Sequence, residues 1–274
     1  MRTAEERQDR ALAEAIRALG KAEFPASLSN FLRLCADFDN LIVILYMDQH
    51  IPTVLYRECK DEIVYGAMDS EYITGNFVLD PFYEAHVKGL ASGIYRLFDL
   101  APDRFRQTTY FKIYYEKTTL VDEVAAFVKM DSGVTITACM GTDRSSGRMF
   151  TKSQFAALNR HVAVITSLID IHWRQFQPAP SSPAVTDRPV IERLKDQLSV
   201  VKGIRLSTRQ AEVALLILQG HSSGSISLIL GISANTVKVF RKQLYAKCTL
   251  SSQAELFAMI VPILFSSNAD SAPK

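Results

Sequence analysis

The sequence predicts two domains, an α+β domain built on an antiparallel sheet flanked by helices and a smaller all-α domain after it. In residues 1–176, short β-branched segments of period two are interleaved with helical periodicities. Residues 177–189 contain four prolines and predict a semi-rigid linker. Residues 190–265 show only helical patterns, and the small polar residues 266–274 predict a disordered tail.

The first elements are two amphipathic helices followed by a hairpin. Leu12, Ala15, Ile16 and Leu19 recur at helical spacing, and a second helix is predicted over residues 28–38. The apolar run at 41–47 predicts a buried strand, residues 50–52 a turn, and residues 53–57 the partner strand. Residues 124–130 and 134–140 predict another hairpin across 131–133, so the sheet should be antiparallel.

A long helix is predicted over residues 152–176. Thr151 and Gln154 form a capping box, and apolar residues then recur at alternating steps of three and four. This spacing predicts a coiled-coil seam of a homodimer, although the same stripe could pack on the domain's own sheet. The candidate seam residues are Leu158, Val162, Ile165, Ile169 and His172.

Three short helices are predicted after the linker. Ser207 and Gln210 form a second capping box, and Gly220 stands where a helix end favours a left-handed residue. A short helix at 223–230 ends at Gly231, and a third begins after Ser233. This order is a helix-turn-helix arrangement.

The third helix, residues 234–247, has two faces when each residue is placed about 100° from the last. One side is apolar and should be buried; it carries Val237, Phe240, Leu244 and Cys248. The other carries Asn235, Lys238, Val239 and Lys242, whose donors and one methyl-bearing group suit the major groove of DNA. The alternative interpretation is an ordinary solvated face.

This segment resembles the C-terminal DNA-binding domain of LuxR-type bacterial transcription regulators. The matching residues include Leu206, Thr208, Arg209, Glu212, Val213, Gly220, Ile226, Thr236, Val237, Lys238 and Lys247. Departures occur at Ser225, Phe240 and the pair 248–249. The resemblance implies groove contacts by Lys238, Val239 and Lys242, and phosphate contacts by Thr236, Arg241 and Lys247. We count Arg209 and Asn235 among the candidate DNA-contacting residues.

Charge separates the two parts of the chain. Residues 188–265 carry ten basic and four acidic side chains, a net +6, whereas residues 1–187 carry 20 basic and 24 acidic ones, a net −4. A basic module is what phosphate neutralisation requires, so the expected partner of the C-terminal domain is double-stranded DNA.

The N-terminal domain resembles sensor domains of the GAF or PAS kind, and its segment 72–83 is similar to autoinducer-binding domains of LuxR-type proteins. There an Asp-Pro pair supplies an aspartate for the ligand, and Asp80-Pro81 fits that pair, although the tryptophan usually found upstream is missing. A strand at 93–97 follows in a similar group of regulators. The candidate ligand-binding residues are Asp80, Tyr72, Tyr46, Tyr56, Phe77, Tyr83 and Tyr95. Asp-Pro is also an ordinary helix start, with aspartate as cap and proline in the first turn.

Several function classes find no support in the pattern. The four cysteines and five histidines are scattered, so neither a disulfide framework nor a metal site is predicted. No flavin motif, catalytic pair or phosphate loop is present, so we expect no enzyme and no cofactor. A receiver domain would open with a strand ending in paired acids, whereas this chain opens with helices. No secretory signature or apolar run of about 18 residues occurs, so we expect a cytoplasmic protein that does not enter the membrane.

These patterns together predict a bacterial, sequence-specific transcription regulator that acts as a homodimer and is controlled by a small molecule. The alternative is a ligand-independent regulator whose N-terminal domain only dimerises or binds a protein.

Overall fold

The computed structural model describes residues 3–48, 50–66, 68–73, 75–115, 117–131, 133–174 and 190–265, without the side chains of residues 114 and 265. The predicted linker at 177–189, the predicted tail at 266–274 and Phe176 lie outside the described residues. Among those residues, no single helix is long and apolar enough to cross a membrane; the helices Ser223–Leu230 and Ala234–Cys248, bent by 107°, reach that length and composition only as a pair.

The N-terminal domain contains one five-stranded antiparallel sheet, as predicted. Its spatial order is β2-β1-β5-β4-β3, and every neighbouring pair is antiparallel. The two predicted hairpins are adjacent in this order, with β1 paired to β5 in the middle. The strands are β1 (Asn40–Met47), β2 (Thr53–Glu58), β3 (Gly93–Arg96), β4 (Leu120–Lys129) and β5 (Val134–Asp143).

The two faces of the sheet are both covered, because alternate strand residues point to opposite sides. Leu41, Val43 and Leu45 pack in one core with the helices α1 (Ala4–Arg17), α2 (Phe24–Cys35), α5 (Lys152–Arg160) and α6 (Val162–Trp173). Ile42, Ile44 and Tyr46 face the opposite core, formed with the segment between β2 and β4. That segment includes α3 (Pro81–Val87) and α4 (Leu97–Leu100), together with short 3-10 and π turns.

The helix predicted over residues 28–38 begins and ends earlier than expected. It starts at Phe24, because Pro25 fits the first turn of a helix, where its missing N–H is not needed. It ends at Cys35, since Ala36 is extended, with φ −149° and ψ 135°, and leads the chain towards β1.

The helix predicted over residues 152–176 is two helices, α5 and α6, that break at His161. Thr151 and Gln154 do form the predicted capping box. Leu158, Ile165 and Ile169 are fully buried in the core beneath the sheet, and Val162 packs against that core. His172 stacks on Phe24 at 4.0 Å between ring centroids. The stripe therefore packs on its own sheet, which is the alternative that the spacing left open, and Leu158, Ile165 and Ile169 are buried within the single chain.

The C-terminal domain is all-α. Gly220 and Gly231 have φ values of 103° and 63°, so each ends its helix in the left-handed conformation that glycine tolerates. The angle of 107° between α9 and α10 lies in the range of a helix-turn-helix motif. Its helices are α7 (Val190–Lys202), α8 (Thr208–Gln219), α9 (Ser223–Leu230), α10 (Ala234–Cys248) and α11 (Gln253–Phe265).

Candidate functional site

The helix α10 has the two faces that its sequence predicts. Val237, Leu244 and Cys248 are buried, and Phe240 is half-buried against the same core. On the other side Val239 is 52% exposed, beside the exposed residues Asn235, Lys238 and Lys242. Within the described ranges, the side chains of Lys238 and Lys242 have no hydrogen-bond or ion-pair partner. They are therefore available to an external ligand.

The other candidate DNA-contacting residues make contacts inside the domain. The Lys247 ammonium donates to the Arg205 carbonyl at 2.8 Å and to the Gln210 side chain at 3.0 Å, which ties the end of α10 to the start of α8. Arg241 donates to the Ser223 hydroxyl on α9 at 3.3 Å. Two local contacts complete the set, namely an ion pair of Arg209 with Glu212 and the Ser233–Thr236 cap of α10.

A second candidate site is a chain of buried polar groups in the N-terminal core. The Tyr72 hydroxyl donates to Asp80 Oδ2 at 2.7 Å and lies 2.9 Å from the Tyr46 hydroxyl. The other Asp80 oxygen accepts the backbone N–H of Phe82 at 2.8 Å, so Asp80 is also the N-cap of α3. The helix-start interpretation of Asp80-Pro81 is therefore observed, and the same carboxylate also joins the tyrosine network.

Burial controls the protonation of this network. Desolvation raises the pKa of Asp80 to about 6, although hydrogen bonds from Tyr72 and the backbone oppose the rise. Desolvation, together with the charge of Asp80, raises the pKa of Glu123 to about 8. Glu123 accepts a hydrogen bond from the Tyr115 hydroxyl at 3.0 Å. The core thus holds two acids whose charged forms are disfavoured.

Aromatic rings surround these acids. Phe77 and Tyr83 meet edge to face at 4.9 Å, and Tyr83 lies 5.8 Å from the Tyr46 ring. His86 stacks near Tyr46 at 5.6 Å, and burial lowers its pKa. Its Nε2 lies 2.9 Å from the Asp48 carbonyl, which can only accept, so Nε2 carries the proton.

Two of the predicted ligand-binding residues lie away from this cluster. Tyr56 pairs with Val43 in the sheet and packs in the opposite core, where its hydroxyl donates to Glu58 at 3.1 Å. Tyr95 lies on the edge strand β3, is partly exposed, and donates to the Ala91 carbonyl. Counting tyrosines in the sequence could not distinguish the two faces of the sheet.

Sequence reasoning missed Glu123, Tyr115 and His86. A signal for Glu123 was present, because it is two residues from Ala125, which faces the same core, and therefore shares its side of β4. A carboxylate in phase with the apolar positions of a buried strand indicates a buried acid. Tyr115 ends the five-residue π-helical segment 111–115 and His86 lies in the seven-residue helix α3, and both elements are too short for a clear period in the sequence.

The two domains meet at the turn between α8 and α9. Gln219 donates to the Val78 carbonyl at 3.3 Å, and the Arg104 N–H donates to the Gly220 carbonyl at 2.9 Å. His221 lies 3.3 Å from Glu84 of α3, and the Ser222 N–H donates to Asp103 at 2.9 Å. The turn therefore contacts the segment that also carries Asp80.

Comparisons with known proteins support both halves of this description. Residues 205–260 match the luxR family of bacterial regulatory proteins. A protein of Aeromonas salmonicida, named as an HTH-type transcriptional regulator in the exeN 3′ region, is 32% identical over 185 residues, which cover 66% of this chain and 93% of that protein.

Solved structures also align with the chain. The VqsR LBD domain from Pseudomonas aeruginosa is 22% identical with a TM-score of 0.53, covering 62% of this chain and 98% of that one. Escherichia coli SdiA, at 15% identity and a TM-score of 0.34, covers 96% of this chain and 93% of its own. The first of these shows the fold of the N-terminal domain.

Proposed function

Because the chain belongs to the luxR family of bacterial regulatory proteins, and is thus a helix-turn-helix transcription regulator, we propose that its N-terminal domain binds a small molecule that controls it. The family consists of transcription regulators and is not an enzyme class. We propose that the protein acts in the cytoplasm, where the bacterial DNA lies.

The observation that carries this proposal is the polar network of Tyr46, Tyr72 and Asp80 inside a largely apolar core. Burying a carboxylate there costs stability, which its pKa of about 6 reflects. Such perturbed acids cluster at functional sites. Convergent phenols and one carboxyl among aromatic rings suit a polar, partly aromatic molecule.

The DNA contacts are proposed for the outward face of α10. Lys238 and Lys242 reach base edges or phosphates, and Val239 offers methyl groups to a thymine. Asn235 joins this face, while Thr236, Arg241, Lys247 and Arg209 lie near the phosphates and also brace the domain. Their existing contacts within the domain keep these donors in place before DNA binds.

We also propose that the regulator acts as a homodimer. Helix-turn-helix domains usually act in pairs on half-sites about one helical turn of DNA apart. Because Leu158, Ile165 and Ile169 are buried within the single chain, we propose the face of α1 as the interface, where Ile16 is 51% exposed.

Ligand binding is tested by thermal unfolding of the full chain in a metabolite screen. A true ligand raises the unfolding temperature with its concentration. We expect Asp80→Asn to lose this response, and Tyr56→Phe, which removes a hydroxyl on the opposite side of the sheet, to keep it. The ligand-independent alternative is favoured if no compound stabilises the wild type, or if Asp80→Asn responds as the wild type does.

A further inference from the structure

Arg193 on α7 is a buried cation without a partner. Its side chain is 6% exposed, and Nε, Nη1 and Nη2 all lack a hydrogen-bond partner among the residues that the structure describes. A buried arginine is normally paired or hydrogen-bonded, because an isolated charge in an apolar region is costly. A group that the described residues do not supply is therefore expected at this guanidinium.

Tyr83 on α3 presents a second group of the same kind. It is 3% exposed, and in the described part of the chain its hydroxyl has no hydrogen-bond partner. Leu194 and Val190, close to Arg193 on α7, share one hydrophobic core with Tyr83. Burial raises the pKa of Tyr83 to about 12, and the nearby Arg193 charge opposes this rise. Because each group affects the ionisation of the other, the two side chains lie within electrostatic reach of each other, one from each domain.

The Arg193 guanidinium and the Tyr83 phenol determine which kind of ligand could bind between them. A guanidinium has five N–H donors and no acceptor, and it stays charged in proteins. A phenol can donate one more hydrogen bond. A set of donors with a net positive charge is complementary to an anion whose oxygens accept several bonds at once.

We propose that Arg193 and Tyr83 form a binding site for the carboxylate or phosphate group of a small molecule, at the junction of the two domains. The anion accepts from the guanidinium on α7 and from the phenol on α3. It therefore connects the DNA-binding domain to the N-terminal domain, close to the contact between Glu84 and His221. This site goes beyond the proposed function, because it does not require Asp80.

The test is thermal unfolding of the full chain with simple anions at constant ionic strength. The probes are inorganic phosphate and acetate, with acetamide as a neutral analogue of acetate. We expect the unfolding temperature of the wild type to rise with phosphate or acetate and to ignore acetamide. The affinity should fall about tenfold or more in Arg193→Met and less in Tyr83→Phe. Arg205→Met, which removes an exposed arginine of the same domain, should respond as the wild type does.

A second measurement separates a binding role from a packing role. Without phosphate or acetate, Arg193→Met should unfold at the same temperature as the wild type or higher, since it removes an unpaired buried charge and keeps the volume. The proposal is overturned if Arg193→Met is less stable in every buffer and keeps the anion response. It is also overturned if neither anion stabilises the wild type.

The two anions distinguish the source of the charge, because a response to phosphate alone indicates a phosphorylated molecule and a response to acetate alone a carboxylic acid. Failure here is separable from failure of the proposed function. Suppose that a metabolite stabilises the chain through Asp80 but no anion response depends on Arg193. The proposed function then stands, and the Arg193 site is rejected.

Discussion

At the scale of single residues, the N-terminal core depends on acids that burial pushes towards their neutral form. Asp80 and Glu123 are both buried, and the charge of Asp80 raises the cost of ionising Glu123. Each acid accepts a hydrogen bond from a tyrosine, Tyr72 in one case and Tyr115 in the other. The raised pKa values therefore belong to the folded state and disappear on unfolding.

Glu123 makes the stability of the domain depend on pH. Its pKa is about 8 in the folded chain, against an ordinary value of 4.5, so the folded state holds the proton more tightly. This contribution is complete below pH 4.5 and is lost as the pH rises through 8. Glu123→Gln should therefore unfold at a higher urea concentration than the wild type at pH 8, and at a similar one at pH 5. Each tenfold difference in proton affinity between the folded and unfolded chain corresponds to about 1.4 kcal/mol.

The control is Glu58→Gln, because Glu58 lies outside this core. Desolvation would raise the pKa of Glu58, but hydrogen bonds from Arg33 and other donors outweigh it and lower the pKa, so the carboxyl group is charged. We expect Glu58→Gln to give no gain in stability at pH 8. An unchanged difference between Glu123→Gln and the wild type from pH 5 to 8 would show that Glu123 is not a buried neutral acid.

The faces of α10 can be tested with one residue from each. Lys242→Ala should weaken operator binding by about 1–3 kcal/mol if the side chain contacts a base, and should leave folding unchanged because the residue is exposed. Val237→Ala should instead lower the free energy of unfolding by about 1–3 kcal/mol, since it opens a cavity in the core. Gel-shift titration at fixed salt and urea unfolding measure the two effects, and identical behaviour of the variants contradicts the assignment.

At the scale of elements, the sequence predicted the features that depend on residues close together in the chain, namely strand positions and helix starts. An apolar run identified the strand at 41–47, alternation at period two identified the hairpin of 124–130 and 134–140, and capping boxes located the starts of α5 and α8. The sequence did not reveal the break at His161, nor that the stripe of α6 faces the sheet, because that choice depends on what packs opposite. The turns between residues 62 and 115 lack any regular period, so no pattern predicted them.

Gly220, at the end of α8, has two separate roles. It ends the helix in the left-handed conformation, and it leaves room for the backbone of the N-terminal domain. Gly220 has φ 103°, and a Cβ there would lie 2.8 Å from Phe105 Cα of the N-terminal domain. Gly231 has φ 63°, with nothing within 4 Å of its Cβ position. Both alanine variants should lose about 1 kcal/mol from backbone strain.

Gly220→Ala should lose clearly more than Gly231→Ala in urea unfolding of the full chain, because its methyl group also pushes against the backbone of the other domain. It should also make the chain more open in small-angle scattering. Equal losses and equal scattering for the two variants would mean that the α8–α9 turn does not hold the domains together in solution.

At the scale of the whole molecule, the domains share one hydrophobic core, which extends from Tyr46 and Phe77 to Leu194 and Leu256. The hydrogen bonds across the junction join residues more than 100 positions apart, such as Gln219 with Val78 and Ser222 with Asp103. No sequence spacing encodes such pairs. The candidate DNA face was therefore accessible to sequence reasoning, whereas the junction and the buried Arg193 were not.

The proposed homodimer is tested by substituting two isoleucines, one exposed and one buried. Ile16→Asp should give a monomer in sedimentation while the unfolding free energy changes by no more than about 0.5 kcal/mol, because the residue is half exposed. Ile165→Asp should prevent folding, since the residue is fully buried in its own chain. Leu228→Asp, at an exposed position on α9, is the control and should not change the mass. If Ile16→Asp remains a dimer, the interface does not involve the face of α1.

The short helix α3 joins the buried tyrosine network to the junction between the domains. Asp80 closes the tyrosine network, and Glu84, one turn later, lies against His221 of the DNA-binding domain. The Glu84 N–H donates to the Asp80 carbonyl at 3.0 Å, and Pro81 stiffens the turn between them. Asp80 and Glu84 are about 6 Å apart along the helix axis. A displacement of Asp80 therefore moves Glu84 with it, so a ligand at the proposed Asp80 site would act on the DNA-binding domain through a single helical turn.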